Sequence, residues 1–132
     1  MNTTTSTHIS HVGAVIIPTK DHDAAIAFWT EKLDFEKGTD VAYGGGQRWV
    51  EVAPANGQTK VALAPLAPDG SGAGTIQNLG FATDDVEASH AELKSRGVEV
   101  DEEILRLGEP VPPMFWFSDP EGNRLLIVER ED

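Results

Sequence analysis

The sequence predicts an α+β fold made of two βαβββ modules, and three observations point to it. Strand-length apolar runs alternate with single helical segments in a fixed order. That order occurs twice along 132 residues, once on each side of a Gly/Pro/Ser-rich stretch. The two halves also align residue by residue without gaps across the first strand and helix, the mark of a duplicated supersecondary unit.

In the first half, Val12 to Thr19 is β-branched and apolar and is expected as a strand buried on both faces. Asp21, His22 and Asp23 supply a helix start, and a helix is expected over residues 24–33. Phe35 to Tyr43 reads as a strand ended by Gly44-Gly45-Gly46, with further strands at residues 48–52 and 59–63 around a turn at Pro54 to Gly57. The glycine triplet lacks the lysine and following helix of a phosphate loop, so it reads as a hairpin turn. Ala67 to Gly74 is a linker by composition.

The second half repeats the order. Ile76 to Thr83 is a strand, and Asp84 with Glu87 makes a capping-box pattern for a helix running to Arg96 and stopping at Gly97. Val98 to Leu107 is expected to be extended. Residues 114–117 form a strand, 119–123 a turn and 124–129 the last strand. Aligning the halves pairs Asp21 with Asp85, Val15 with Leu79, Ile17 with Phe81 and Ile26 with His90. Each half is too small to bury a good core alone, so the two are expected to fold as one domain.

Composition narrows the function. There is no cysteine, which removes disulfides, thiolate metal sites and a cysteine nucleophile, and fits a reducing, cytoplasmic setting. No apolar run approaches the ~20 residues needed to cross a bilayer, so no membrane partner is expected. Met1 to Thr7 is polar, without the pattern of a secretory signal, and residues 1–8 are expected to be a flexible tail. A net charge of −12 argues against nucleic acid and would attract a cationic ligand. No G-x-S-x-G elbow is present for a serine nucleophile.

Several segments together carry a family resemblance. They are Val15 to Ala25 leading through Phe28-Trp29 to Leu33-Asp34-Phe35, then Arg48-Trp49-Val50-Glu51-Val52, Asp84-Asp85-Val86, Leu93 to Val98, and Phe117-Ser118-Asp119-Pro120-Glu121-Gly122-Asn123. In this order and spacing they resemble the vicinal oxygen chelate superfamily of glyoxalases, bleomycin resistance proteins and extradiol dioxygenases. Trp29 stands where that family usually has tyrosine, and Asp34 where it has glycine. The resemblance implies an open, cup-shaped mixed sheet over about residues 9–130, with modules at about 9–66 and 75–130. It also implies a homodimer.

Metal enzymes of the family hold a divalent ion through His, Gln or Glu on the first and last strands of each module. By resemblance those positions fall on Ala14, the segment Val61 to Ala64, Asn78 and Leu126, none of which suits Zn or Fe. No metal cofactor is therefore expected. The alternative is a divalent ion such as Zn, Ni, Mn or Fe held through His11 or Glu129. Both lie three residues from the family positions, which places them on the opposite strand face.

The remaining candidates are aromatic. Trp49 and Glu51 share one strand face, Met114 and Trp116 another, and Phe115 and Phe117 its reverse. Aromatic walls with few polar groups suit a small-molecule pocket. Tyr43, Arg48, Trp49, Glu51, Asn78, Met114 and Trp116 are the ligand-binding candidates, and the Pro110 to Pro113 run is a candidate rim. His22 is expected at a helix start, and His90 as a packed residue rather than a base. The expected function is metal-free binding of a small organic molecule in the cup. The alternatives are a metal-dependent lyase, isomerase, thiol transferase or dioxygenase, and a metal-independent enzyme using Glu51 as base.

Overall fold

The computed structural model describes residues 6–130 except 44, 46, 56, 58, 66–68 and 70. Those exceptions, with residues 1–5, take in parts of the expected tail, glycine turn and linker, which therefore lie outside the described residues. Among the described residues, eight strands and two helices follow in the expected order. The first module is β1 (Ala14–Pro18), α1 (His22–Ala27), β2 (Glu36–Ala42), β3 (Arg48–Ala53) and β4 (Lys60–Ala64). The second is β5 (Gln77–Thr83), α2 (Val86–Ser95), β6 (Glu99–Val100), β7 (Met114–Ser118) and β8 (Arg124–Glu129).

Each module forms an open four-stranded mixed sheet, β1-β4-β3-β2 and β5-β8-β7-β6, whose first and last strands run parallel. The alignment of the halves holds in three dimensions. Val15 pairs with Val61 as Leu79 pairs with Leu125, and Ile17 with Leu63 as Phe81 with Ile127. Asp21 and Asp85 cap the two helices alike, each carboxylate accepting from the backbone N–H three residues on, Ala24 at 3.1 Å and Ala88 at 3.0 Å. Such a cap stabilises a helix by about 1 kcal/mol.

Four local expectations are corrected. The cap of α2 is Asp85, not Asp84, whose carboxylate instead pairs with Arg130. Strand β1 is covered on one face only, because it is an edge strand: Ile17 is buried while Ala14 and Ile16 are exposed. The first helix widens into a π-helical turn over Phe28–Lys32, where the rings of adjacent residues are both used in packing. The stretch from Val98 is strand only at Glu99–Val100, then loops out before Leu105 bridges to Met114.

The helices and the inner faces of both sheets share one core. Val50, Val52, Val61 and Leu63 come from the first sheet, Phe115, Phe117 and Leu125 from the second. Phe28 stacks on Phe117 (6.4 Å), and Trp29, fully buried, meets Phe81 edge-on (5.6 Å), so the π turn joins the modules. Asp34, at φ +63°, closes this turn in the left-handed region that glycine favours. Its carboxylate accepts from Arg96 at 2.8 Å, and that hydrogen bond holds its pKa below the usual range. Since the inner faces are used by the core, the outer face of each sheet is left without cover.

Candidate functional site

Strand alternation decides which side chains reach the outer faces. In β3, Val50 and Val52 point into the core, so Trp49 and Glu51 point outward. The Trp49 indole N–H donates to Glu51 Oε2 at 3.0 Å, and Lys60 Nζ approaches Glu51 Oε1 at 3.7 Å. Across the sheet Glu51 neighbours Ala62 and then Ile16, while Trp49 neighbours Val41. The result is a largely apolar surface on which the Glu51 carboxylate lies between the Trp49 indole and the Lys60 ammonium.

The second outer face has a related design. Phe115 and Phe117 are fully buried, so Met114 and Trp116 point outward. The Trp116 indole N–H donates to Asn78 Oδ1 at 3.0 Å. Asn78 reaches it from a register shift between Gln77 and Leu79, with its own φ at +65°. Asparagine tolerates that conformation better than most residues. Beside it, Gly80 sits opposite Leu126, in register with Trp116. A Cβ on Gly80 would lie 3.0 Å from Leu126 Cδ1 and 3.3 Å from Val128 Cγ2. The missing side chain thus leaves a flat apolar floor beside the indole. A glycine inside a strand is the sequence signal for such a close approach.

The candidates therefore divide into two groups. Trp49 and Glu51 share the first outer face, and Asn78, Met114 and Trp116 share the second. Tyr43, half exposed, lies past the end of the first face and donates its hydroxyl to Pro65 O at 3.3 Å. Arg48 lies on the inner side of β3, where it spans Asp40 and Asp23. Hydrogen bonds from Arg48 first, and then Lys37, lower the Asp40 pKa from 3.8 to about 2. His22 bonds to Arg48 O at 3.1 Å, and His90 to Asp101 O at 2.7 Å with its ring edge-on to Phe115.

The donor set does not fit a metal in the cup. Ala14, Ala62, Asn78 and Leu126 offer no imidazole or carboxylate, and among the described residues no three His, Asp or Glu side chains converge. Glu129 lies on the inner side of β8, and its Oε1 accepts the Val86 N–H at 3.0 Å, helping to cap α2. His11 precedes β1, exposed, with Nδ1 2.7 Å from Ser10 Oγ.

The Asp119 to Asn123 turn that contributed to the resemblance is structural. Asp119 Oδ1 accepts the backbone N–H groups of Glu121 and Asn123, and its Oδ2 accepts from Asn123 Nδ2 at 2.6 Å. Asn123 Oδ1 in turn accepts the Ile76 N–H at 2.9 Å, fixing the entry to β5. Glu121 Oε2 crosses to the first module and accepts the N–H groups of Lys20 and Asp21 at 2.6 and 3.0 Å.

A family model described as the glyoxalase/bleomycin resistance protein/dioxygenase superfamily matches residues 8–127. The chain belongs to that superfamily. It is 31% identical to the uncharacterised protein YetH of Bacillus subtilis (strain 168), over 92% of this chain and 99% of YetH. Among solved structures it resembles TnmS3, an antibiotic binding protein from Streptomyces sp. CB03234, with 32% identity, a TM-score of 0.82 and coverage of 96% and 100% of the two chains. A superfamily member from Sphaerobacter thermophilus DSM 20745 is 31% identical, with a TM-score of 0.81 and coverage of 92% and 98%.

Proposed function

We propose that this protein binds a flat, largely apolar organic molecule against its outer sheet faces, without a metal. The observation that carries the reading is the pair of outward-facing tryptophans, each with its indole N–H anchored by a polar side chain of the same face. An anchored ring loses little rotational freedom when a ligand stacks on it, which favours affinity. Glu51 adds a carboxylate suited to a cationic or donor group on the ligand. The likeness to an antibiotic binding protein supports the same reading.

Each face supplies one wall, and a pocket that buries most of a drug-sized ligand needs a facing wall. In this proposal a second copy supplies it, making the binding form a homodimer. The test is a panel of planar aromatic compounds, basic and neutral, titrated against intrinsic tryptophan fluorescence. Trp116→Ala and Trp49→Ala are expected to weaken the best ligand at least tenfold. Stoichiometric Zn, Ni, Mn or Fe in purified protein, lost on His11→Ala, would overturn the metal-free reading.

A further inference from the structure

The core shared by the modules does not close completely. Val15, Leu79, Phe81 and Ile127 have inward-facing positions, yet all remain partly exposed. They line a groove of about 880 Å³ between the modules, walled by α2 on one side and by the chain leaving the π turn on the other. None of the ligand-binding candidates of the outer faces lines it. Its volume falls within the range of about 300–1,000 Å³ of small-molecule pockets.

The lining states what the groove would accept. The rings of Phe35 and Phe81, edge-on to each other at 5.7 Å, form an aromatic corner with Trp29 beneath, and aliphatic side chains complete the walls. The charged groups at the rim already have partners. Arg96 is held by Asp34 and Glu92, Arg130 by Asp84, and Lys32 Nζ donates to Arg96 O at 2.6 Å. A charged guest would have to leave water and break one of these pairs, whereas a neutral one would not. The Thr83 and Ser89 hydroxyls, 2.7 Å apart, are the neutral polar pair on the lining.

We propose that this inter-module groove is a second binding site, separate from the outer faces, which takes a neutral, ring-containing apolar molecule of drug size. Edge-to-face contact with Phe35 and Phe81 would orient the ring, and filling the gap would complete the core between the modules.

The probe is N-phenyl-1-naphthylamine, a neutral aromatic amine that fluoresces when it leaves water. A saturable site near one per chain is expected that gives nuclear Overhauser contacts to the methyls of Leu79 and Ile127. Ala88 is exposed on α2 and lines the groove, so Ala88→Phe adds bulk there without replacing a buried residue. It is expected to weaken that site at least tenfold, while Trp116→Ala, which acts on the outer face, leaves the Leu79 and Ile127 contacts in place. Leu79 and Ile127 contacts that persist unaltered in Ala88→Phe, that are lost in Trp116→Ala, or that never appear because the probe contacts the Met114 methyl alone would overturn the proposal. So would binding that appears only in Ile9→Asp. Ile9 is 80% exposed ahead of β1, and that outcome would mean the N-terminal arm fills the groove. Because the outer-face reading rests on Trp49 and Trp116, either proposal can fail without the other.

Discussion

Replacing Asn123 with alanine tests the claim that the Asp119 to Asn123 turn holds the second module to its first strand. Asn123 is fully buried and Asp119 is 8% exposed. The substitution removes the bond from Nδ2 to the Asp119 carboxylate and the bond from the Ile76 N–H to Oδ1. Leaving a buried partner unsatisfied costs about 1–3 kcal/mol, more when it is charged. Asp119 keeps two backbone N–H donors on its other oxygen, and Ile76 is only part-buried, so each loss belongs in the lower half of that range. A loss of about 3 kcal/mol follows. With a urea slope of about 2 kcal/mol/M, the unfolding midpoint should fall by about 1.5 M. Asn123→Asp should be worse, since it sets a second carboxylate against Asp119. Arg106→Ala, which breaks only the exposed pair with Glu87, should leave the midpoint unchanged. A shift below about 0.5 M for Asn123→Ala, on the same slope, would refute the reasoning.

Other outcomes follow from the same geometry. Asp40 has its folded-state pKa lowered to about 2 from 3.8, so its stabilising effect is complete above about pH 4 and is lost as the pH falls toward 2. Its carbonyl chemical shift should titrate near 2 in the native protein and closer to 3.8 in Arg48→Gln. Glu129→Ala removes an acceptor from the first turn of α2 and should speed amide exchange at Val86, at a cost of about 1 kcal/mol. Gly74 sits at φ +80° with Glu121 O where a Cβ would go, so Gly74→Ala should destabilise by more than the ~1 kcal/mol of left-handed backbone alone, measured by thermal unfolding. Asn78→Ala should free the Trp116 indole, seen as a changed indole N–H resonance, and weaken any ligand stacked on that face.

The local pattern of residues was enough for the element order, the duplication and the class of fold. Strand and helix periodicities are short-range properties, and both modules obey them. The alignment of Asp21 with Asp85 even contained the correct α2 cap, although the capping-box pattern pointed one residue earlier to Asp84. The side chain that satisfies a helix end is chosen by backbone geometry, which a motif describes only loosely. The π turn, the edge position of β1 and the looping out after Val100 were not legible, because each depends on what the segment packs against.

The sequence by itself therefore determined the architecture, the superfamily and the residue types at the family's metal positions. Tertiary structure decided the directions of the side chains that matter for binding. It turned Trp49, Glu51, Met114 and Trp116 outward, put Arg48 on the helix side, and gave Glu129 to α2 and Glu121 to the other module. It also left a groove between inner faces that no motif announces. The physical reason is distance along the chain: Glu121 meets Lys20 across 101 positions and Trp116 meets Asn78 across 38. Contacts that remote are set by how two sheets close over shared helices, and no window of neighbouring residues contains them.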